Sequence, residues 1–235
     1  VTLVLAVDTT HEFGSLALAG DSLALAGGGQ VDEILLHAPA GFGQVLYAHL
    51  GRLLARHGVT PAMIDCFAAA SGPGSFTGVR VGLACIKGLA EAVGKPAVAV
   101  GNLEAMAAFG TAPLRAVVMD ARRGEVYGAV YDEAGRLVSP EVVEPFPAWL
   151  RSLPDSLPAG LPDALEFVST DFTPFRASLA GTRFEDAAVV TAPRALAAAI
   201  ARIAAARWLR GEACDPAALD ANYVRRPDAE LLWKE

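Results

Sequence analysis

Residues 2–8, TLVLAVD, form an apolar run that ends in an acid and is followed by two threonines. A run of the same kind, RAVVMD, closes on Asp120 at residues 115–120. Each is followed by two shorter runs. These are 13–19 and 22–26, parted by Gly20-Asp21, and 125–131 and 136–143, parted by Asp132 to Gly135. Such Gly- and Asp-bearing breaks between strand-like runs are hairpin signals. The recurrence predicts a duplicated unit, with three strands in the first 27 residues, the first of them more apolar and so more central in its sheet.

The spacing of Phe42, Val45, Leu46, His49, Leu50, Leu53, Leu54 and His57 predicts a helix over 42–57 that Gly58 stops. The segment before it, His37 to Gly41, contains Pro39 and reads as a loop. A short strand follows at 65–70, then a Gly-rich loop, a second helix over 77–93 ended by Gly94, and a strand at 97–100. Antiparallel strands followed by alternating helices and strands describe a mixed sheet covered by helices. Beyond residue 144, Pro145, Pro147, Pro154, Pro158 and Pro162 predict an irregular stretch with one short helix. Residues 193–210 read as an Ala-rich helix, opened by Pro193 and stopped by Gly211. With 235 residues the chain can form two lobes. We expect them at 1–101 and 102–211, with a tail, 212–235, folded back on the body.

An apolar content of 53% with 19% charged residues excludes a disordered chain. The net charge of −7 argues against a broad basic surface that holds nucleic acid. Cys66, Cys85 and Cys214 have no metal-ligand or redox spacing, which fits a reducing cytosol. The N-terminal run lacks a basic leader, and His37, Pro39, Gly41, Gly43, Gln44 and His49 break the uncharged stretch from Ile34 to Gly51. A cytoplasmic protein with no membrane contact is expected.

The loop Ser71-Gly-Pro-Gly-Ser-Phe-Thr-Gly78 is the most distinctive motif. Glycines feeding a helix N-terminus can expose backbone N–H groups to an anion, or can form a tight turn for close packing. Both readings stay open. The loop is not a P-loop, since no Lys-Ser/Thr pair follows its last glycine. The second helix is apolar on nearly all sides, so it is buried all round, by its own core or by a partner. Asp8 and Asp120 sit at strand ends, where an acid can hold Mg²⁺ or cap a turn. No two of His11, His37, His49 and His57 stand three or four residues apart, so no helix carries a metal-binding pair.

Five segments taken in order, LAVDTT, SGPGSFTGVRVGLACIKGLA, VGNLEAMA, VMDARRGEVYGAVY and YVRRPDAE, resemble the bacterial TsaB (YeaZ) family. The resemblance implies the actin-like ATPase (ASKHA, RNase H-like) α/β fold, with two related lobes of mixed sheet covered by helices. It implies a non-catalytic subunit for making threonylcarbamoyladenosine at position 37 of tRNAs that read codons starting with A. Such a subunit needs no cofactor or metal of its own. Its partner would be the transferase paralogue TsaD, docked through helices 42–57 and 77–93. The interface would draw on Val45, Leu46, His49, Leu53, Arg80, Leu83, Ala84 and Lys87. TsaD carries an HxxxH metal motif, absent from this sequence. TsaE, a small ATPase, joins the assembly. Self-pairing is the alternative when the chain is alone, and tRNA is met only within the complex, with Arg122-Arg123 and Arg225-Arg226 as candidate phosphate contacts. The family's His-Ser pair at the start of the first helix is replaced here by Phe42-Gly43. The competing reading is a lone actin-like kinase or transferase with Asp8 and Asp120 around Mg-ATP. A peptidase is disfavoured, because no metal pair or nucleophile elbow is present.

Overall fold

The computed structural model of the chain describes residues 2–20, 31–157 and 165–225. Among them are five α-helices: α1 (Leu46–Arg56), α2 (Phe76–Val93), α3 (Asn102–Ala107), α4 (Phe146–Ser156) and α5 (Ala197–Leu209). The chain divides into two units, Val1–Asn102 with Arg194–Asn222, and Leu103–Pro193 with Tyr223–Glu235.

The first unit holds β1 (Leu3–Asp8), β2 (Phe13–Gly20), β3 (Val31–His37), β4 (Cys66–Ala70) and β5 (Ala97–Val100). Their order in the sheet is β3-β2-β1-β4-β5. The β1–β2 and β2–β3 pairs are antiparallel, and the β1–β4 and β4–β5 pairs are parallel. The second unit holds β6 (Leu114–Arg122), β7 (Glu125–Asp132), β8 (Leu137–Pro145), β9 (Leu165–Ser169) and β10 (Val189–Thr191). Read from β8, its order is β8-β7-β6-β9-β10, the same arrangement with the same pattern of parallel and antiparallel pairs. The recurrence in the sequence is therefore a recurrence of topology. It is the two-sheet α/β architecture of the actin-like fold.

β1 is apolar at five of six positions because both its faces are covered, and every residue in it is buried. Leu3, Leu5 and Val7 point to one face, where they join leucines of α1 and the apolar side of α2. The opposite face carries Val4, Ala6, Ala17, Ala19, Ala68 and Ala70, small residues that leave room for an alanine-rich helix. That helix is α5, which lies against β1, β2, β4 and β5.

This placement corrects the expected lobes, since α5 belongs to the first sheet and not to a second lobe spanning 102–211. Small side chains on both partners permit the approach. The first sheet also supplies the helix cap. Ser15 Oγ on β2 accepts from the N–H of Leu196 (3.0 Å) and Ala197 (2.8 Å), and Glu33 Oε1 on β3 accepts from Ala198 N–H (2.8 Å). Orphan donors of a helix start need such acceptors. The helix accordingly begins at Ala197, four residues beyond Pro193.

The strand expected at 22–26 lies outside the described residues. The third strand that is described is β3, so His37 ends a strand and the expected loop shortens to Ala38–Gly41. The first helix opens with a short 3-10 turn, Phe42–Gln44, before α1 proper. In the second unit the Pro-rich region contains α4 as expected, but β9, β10 and an aromatic cluster follow. Phe146 meets Phe167, Phe172 and Phe175 at centroid separations of 5.3–6.0 Å. Trp149 lies against Gly128 of β7, where a Cβ would stand 2.8 Å from the indole.

Candidate functional site

The Gly-rich loop is spent on packing. Ser75 N–H donates to Thr10 O (2.7 Å), Gly72 N–H to Asn102 Oδ1 (3.1 Å), and Gly78 N–H to its own N-cap, Ser75 Oγ (3.3 Å). Thr9 Oγ1 donates to Gly78 O (2.7 Å). A Cβ on Gly74 would stand 2.6 Å from Thr10 O, and one on Gly82 would stand 2.7 Å from Thr9 Oγ1. The glycines thus let the loop and the first turns of α2 lie directly on residues 8–10. Of the two readings open from the sequence, the close-packing turn is the one these contacts carry.

Residues 8–10 are themselves locked. Asp8 Oδ1 accepts from Thr10 N–H (2.9 Å) and Thr10 Oγ1 (2.7 Å), and Asn102 Nδ2 donates to Thr10 Oγ1 (2.7 Å). Asp8 is 1% exposed and Asn102 is 0%. Asp8 therefore caps a buried turn. Asp120, in the second unit, caps an exposed one, accepting from Arg122 N–H at 2.7 Å. No group of three or more potential metal-ligating side chains occurs among the described residues.

The structure separates the eight residues expected at a partner surface into three sets, buried, half-buried and exposed. Leu46, Leu53 and Leu83 are buried in the core of the first unit, at 0%, 0% and 6% exposure. They sit on the stripes that α1 and α2 turn towards β1, β2 and β4. Val45 and His49 are half-buried beside them, and Lys87, also half-buried, donates from Nζ to Ala217 O at 3.2 Å. Arg80 and Ala84 are exposed.

The open surface lies on the opposite helix faces. On α1 it comprises Tyr47, Ala48, Gly51, Arg52 and Ala55, and on α2 it comprises Thr77, Arg80, Ala84, Gly88 and Glu91. A Cβ on Gly51 or Gly88 would meet nothing within 4 Å. Tyr47 is 61% exposed and hydrogen-bonds Cys85 of α2. Burial pushes the Cys85 thiol up to about 11, which leaves it a neutral, inert thiol at neutral pH. Phe76 is 42% exposed, and the Arg80 guanidinium lies 3.6 Å from its ring centroid. The signal for this surface was present in the sequence. The Leu46, Leu50, Leu53, Leu54 stripe places 48, 51 and 55 on the far side of the helix.

The basic spots differ from one another. Arg122 and Arg123 are exposed at the β6–β7 hairpin, at φ of 66° and 58°. Arg225 is engaged: it donates to Ala121 O (2.7 Å) and to Glu125, with its guanidinium 5.7 Å from the Tyr127 ring centroid. Arg226 lies outside the described residues.

The duplicated sheets and this pair of helices define an actin-like protein whose first strand-end turn is closed by packing. The family model "TsaD: tRNA N6-adenosine threonylcarbamoyltransferase" matches residues 41–209. An uncharacterised protein of Mycobacterium tuberculosis is 35% identical over 185 residues, covering 76% of this chain and 72% of its own. The tRNA threonylcarbamoyladenosine biosynthesis protein TsaB of Escherichia coli is 32% identical over 155 residues, 60% of this chain and 64% of that protein. The structure of YeaZ from Pseudomonas aeruginosa superposes with a TM-score of 0.74 at 26% identity, covering 95% of this chain and all of that one. The chain belongs to the TsaB (YeaZ) family, within the wider TsaD group.

Proposed function

We propose that this chain is a non-catalytic subunit of the machinery that makes threonylcarbamoyladenosine in tRNA. It acts by holding the TsaD transferase paralogue in its competent state. The observation that carries the reading is the exposed face of α1 and α2. It offers small residues at Ala48, Gly51, Ala55, Ala84 and Gly88, with Tyr47 projecting beside them. Open glycines and alanines allow helix axes of a partner to approach closely, and a half-exposed tyrosine is a favoured anchor at an interface. The biosynthetic role is the one named for the Escherichia coli relative.

On this reading the loop glycines and residues 8–10 serve rigidity, and catalysis resides in the partner. An activator of this kind works through a difference in affinity for two states of the transferase. A third subunit of the TsaE type and the tRNA are met in the assembled complex, in the cytoplasm.

The test is size-exclusion chromatography with light scattering of the chain, the transferase paralogue of the same organism, and their mixture. A heteromeric species is expected. Ala84→Trp should abolish it while leaving the circular dichroism of the chain unchanged, since Ala84 is exposed. Two unmixed peaks with a folded transferase would defeat the reading.

A further inference from the structure

Resting on the reading just proposed, we infer that the β6–β7 hairpin is where this chain touches RNA, with Arg122 and Arg123 holding phosphates of the tRNA backbone. The two arginines occupy positions unfavourable to any long side chain. β6 and β7 are joined by two residues, Arg123 and Gly124, at φ of 58° and 78°. A two-residue turn with positive φ at both places calls for Asn-Gly. Arg122, at 66°, stands where the register of the two strands shifts after Asp120, a left-handed place that glycine fills without strain. A bulky side chain at positive φ is an outlier, and such outliers gather at functional sites. The hairpin needs no arginine to fold, so these side chains are kept for what they meet.

What they meet is negative. Both arginines are exposed, on a chain whose total charge is −7. The neighbouring acids are already engaged. Glu125, half-buried at the start of β7, is paired with Arg225. Asp120 turns Oδ1 to Arg122 N–H at 2.7 Å. Arg225 also donates to Ala121 O at 2.7 Å, so the base of the hairpin is tied down beneath an open tip. A Cβ on Gly124 there would meet nothing within 4 Å. An open tip encloses no small anion, but it suits a polyanion that runs past it. A guanidinium matches a phosphate group with two parallel N–H donors. Contacts of this kind position an RNA backbone without reading its bases, and the acidic charge of the whole chain keeps nucleic acid from settling elsewhere on it.

The probe is a fluorescently labelled, unmodified tRNA that reads a codon starting with A. Its anisotropy is followed with the full chain plus the transferase paralogue, and with the full chain alone, from about 50 mM to about 300 mM salt. The variants are Arg122→Asn/Arg123→Asn and Arg122→Lys/Arg123→Lys. Asparagine accepts positive φ, so the first pair removes the charge and keeps the turn, whereas the second keeps the charge. With the transferase present, the asparagine pair is expected to bind tRNA about tenfold more weakly at low salt. It is also expected to lower the slope of log affinity against log salt by about 1 to 2. The lysine pair is expected to stay within about threefold of wild type. Unchanged affinity and slope in the asparagine pair overturn the inference. Loss of its association with the transferase in light scattering does so too, since the hairpin would then be a protein contact. A difference between wild type and variant that inorganic phosphate erases at matched ionic strength would make this a site for a free anion, and overturns it likewise. If the wild-type chain and the transferase form no heteromer, the reading as a transferase subunit fails and the chain alone decides. Binding of tRNA that the asparagine pair weakens keeps the hairpin as an RNA contact, and binding that is absent or unchanged overturns it.

Discussion

The two sheets share a topology and, at equivalent places, a local device. At the end of β1, Asp8 accepts the N–H of Thr10; near the end of β6, Asp120 accepts the N–H of Arg122. The surroundings then diverge. The first turn is sealed beneath Gly74 and Gly78, with Asp8, Thr9 and Thr10 all at 1% exposure or less. The second is an exposed hairpin in which Arg122, Arg123 and Gly124 all have positive φ. Duplication supplied one turn, and burial decided its use. The sealed copy became a structural joint, and the open copy kept the freedom to carry charge.

Paired substitutions break this comparison most sharply at the glycines. Gly78→Ala drives a Cβ into the Thr9 carbonyl, a backbone atom that cannot step aside. A loss of about 3 kcal/mol is expected. Gly124→Ala in the open hairpin meets nothing within 4 Å and suffers only its φ of 78°. The expected cost there is about 1 kcal/mol. Urea denaturation of the two variants checks the ratio, and equal losses would mean that the two turns are equally constrained.

The matched acids come next. Asp8→Ala strands Thr10 N–H and Oγ1 in a buried site, so about 2 kcal/mol should be lost. Asp120→Ala removes a hydrogen bond that water can replace, at about 0.5 kcal/mol. Thermal unfolding of both variants measures the gap. A cost at Asp120 as large as that at Asp8 would show that exposure does not set the difference.

The elements legible in the sequence were those whose signal is local. β1, β4 and β5 are continuous apolar runs, and α2 is bracketed by Ser75 and Gly94, whose φ is 64°. What escaped was set at a distance. The start of α5 depends on Ser15 and Glu33, more than 160 positions away along the chain. β9 holds a buried glutamate, Glu166, tolerable only because Thr111 and Ala112 bring N–H donors to it. β3, VDEILLH, is an edge strand with one buried residue, so its pattern does not declare a face. Three of the residues expected at a partner surface were less legible for a related reason. An apolar stripe identifies what a helix buries without saying in what, and Leu46, Leu53 and Leu83 turned out to be buried in their own core.

The smallest effect sharpens the comparison through pH. In the first unit, Asp32 on β3 meets His57 Nε2 at 2.8 Å and Arg56 Nη1 at 2.6 Å. Burial pushes its carboxyl up, but the bonds to His57 and Arg56 outweigh that and hold it below the ordinary 3.8. In the second unit, Asp132 is lowered likewise, where the bonds from Arg136 and Ala134 outweigh burial, but its ion-pair partner Arg136 is 81% exposed. A carboxyl with a depressed folded value contributes stability that is complete above its unfolded pKa and is lost as pH falls through the folded one. Asp32→Asn should therefore cost about 1 kcal/mol at pH ~5. The gap from wild type should close as the solution is acidified below pH ~3. Asp132→Asn should show the same sign at about half the size, because a solvated pair is screened. Chemical denaturation at stepped pH would show it, and a gap that widened on acidification would mean that Asp32 is not the charged partner in the joint between β3 and α1.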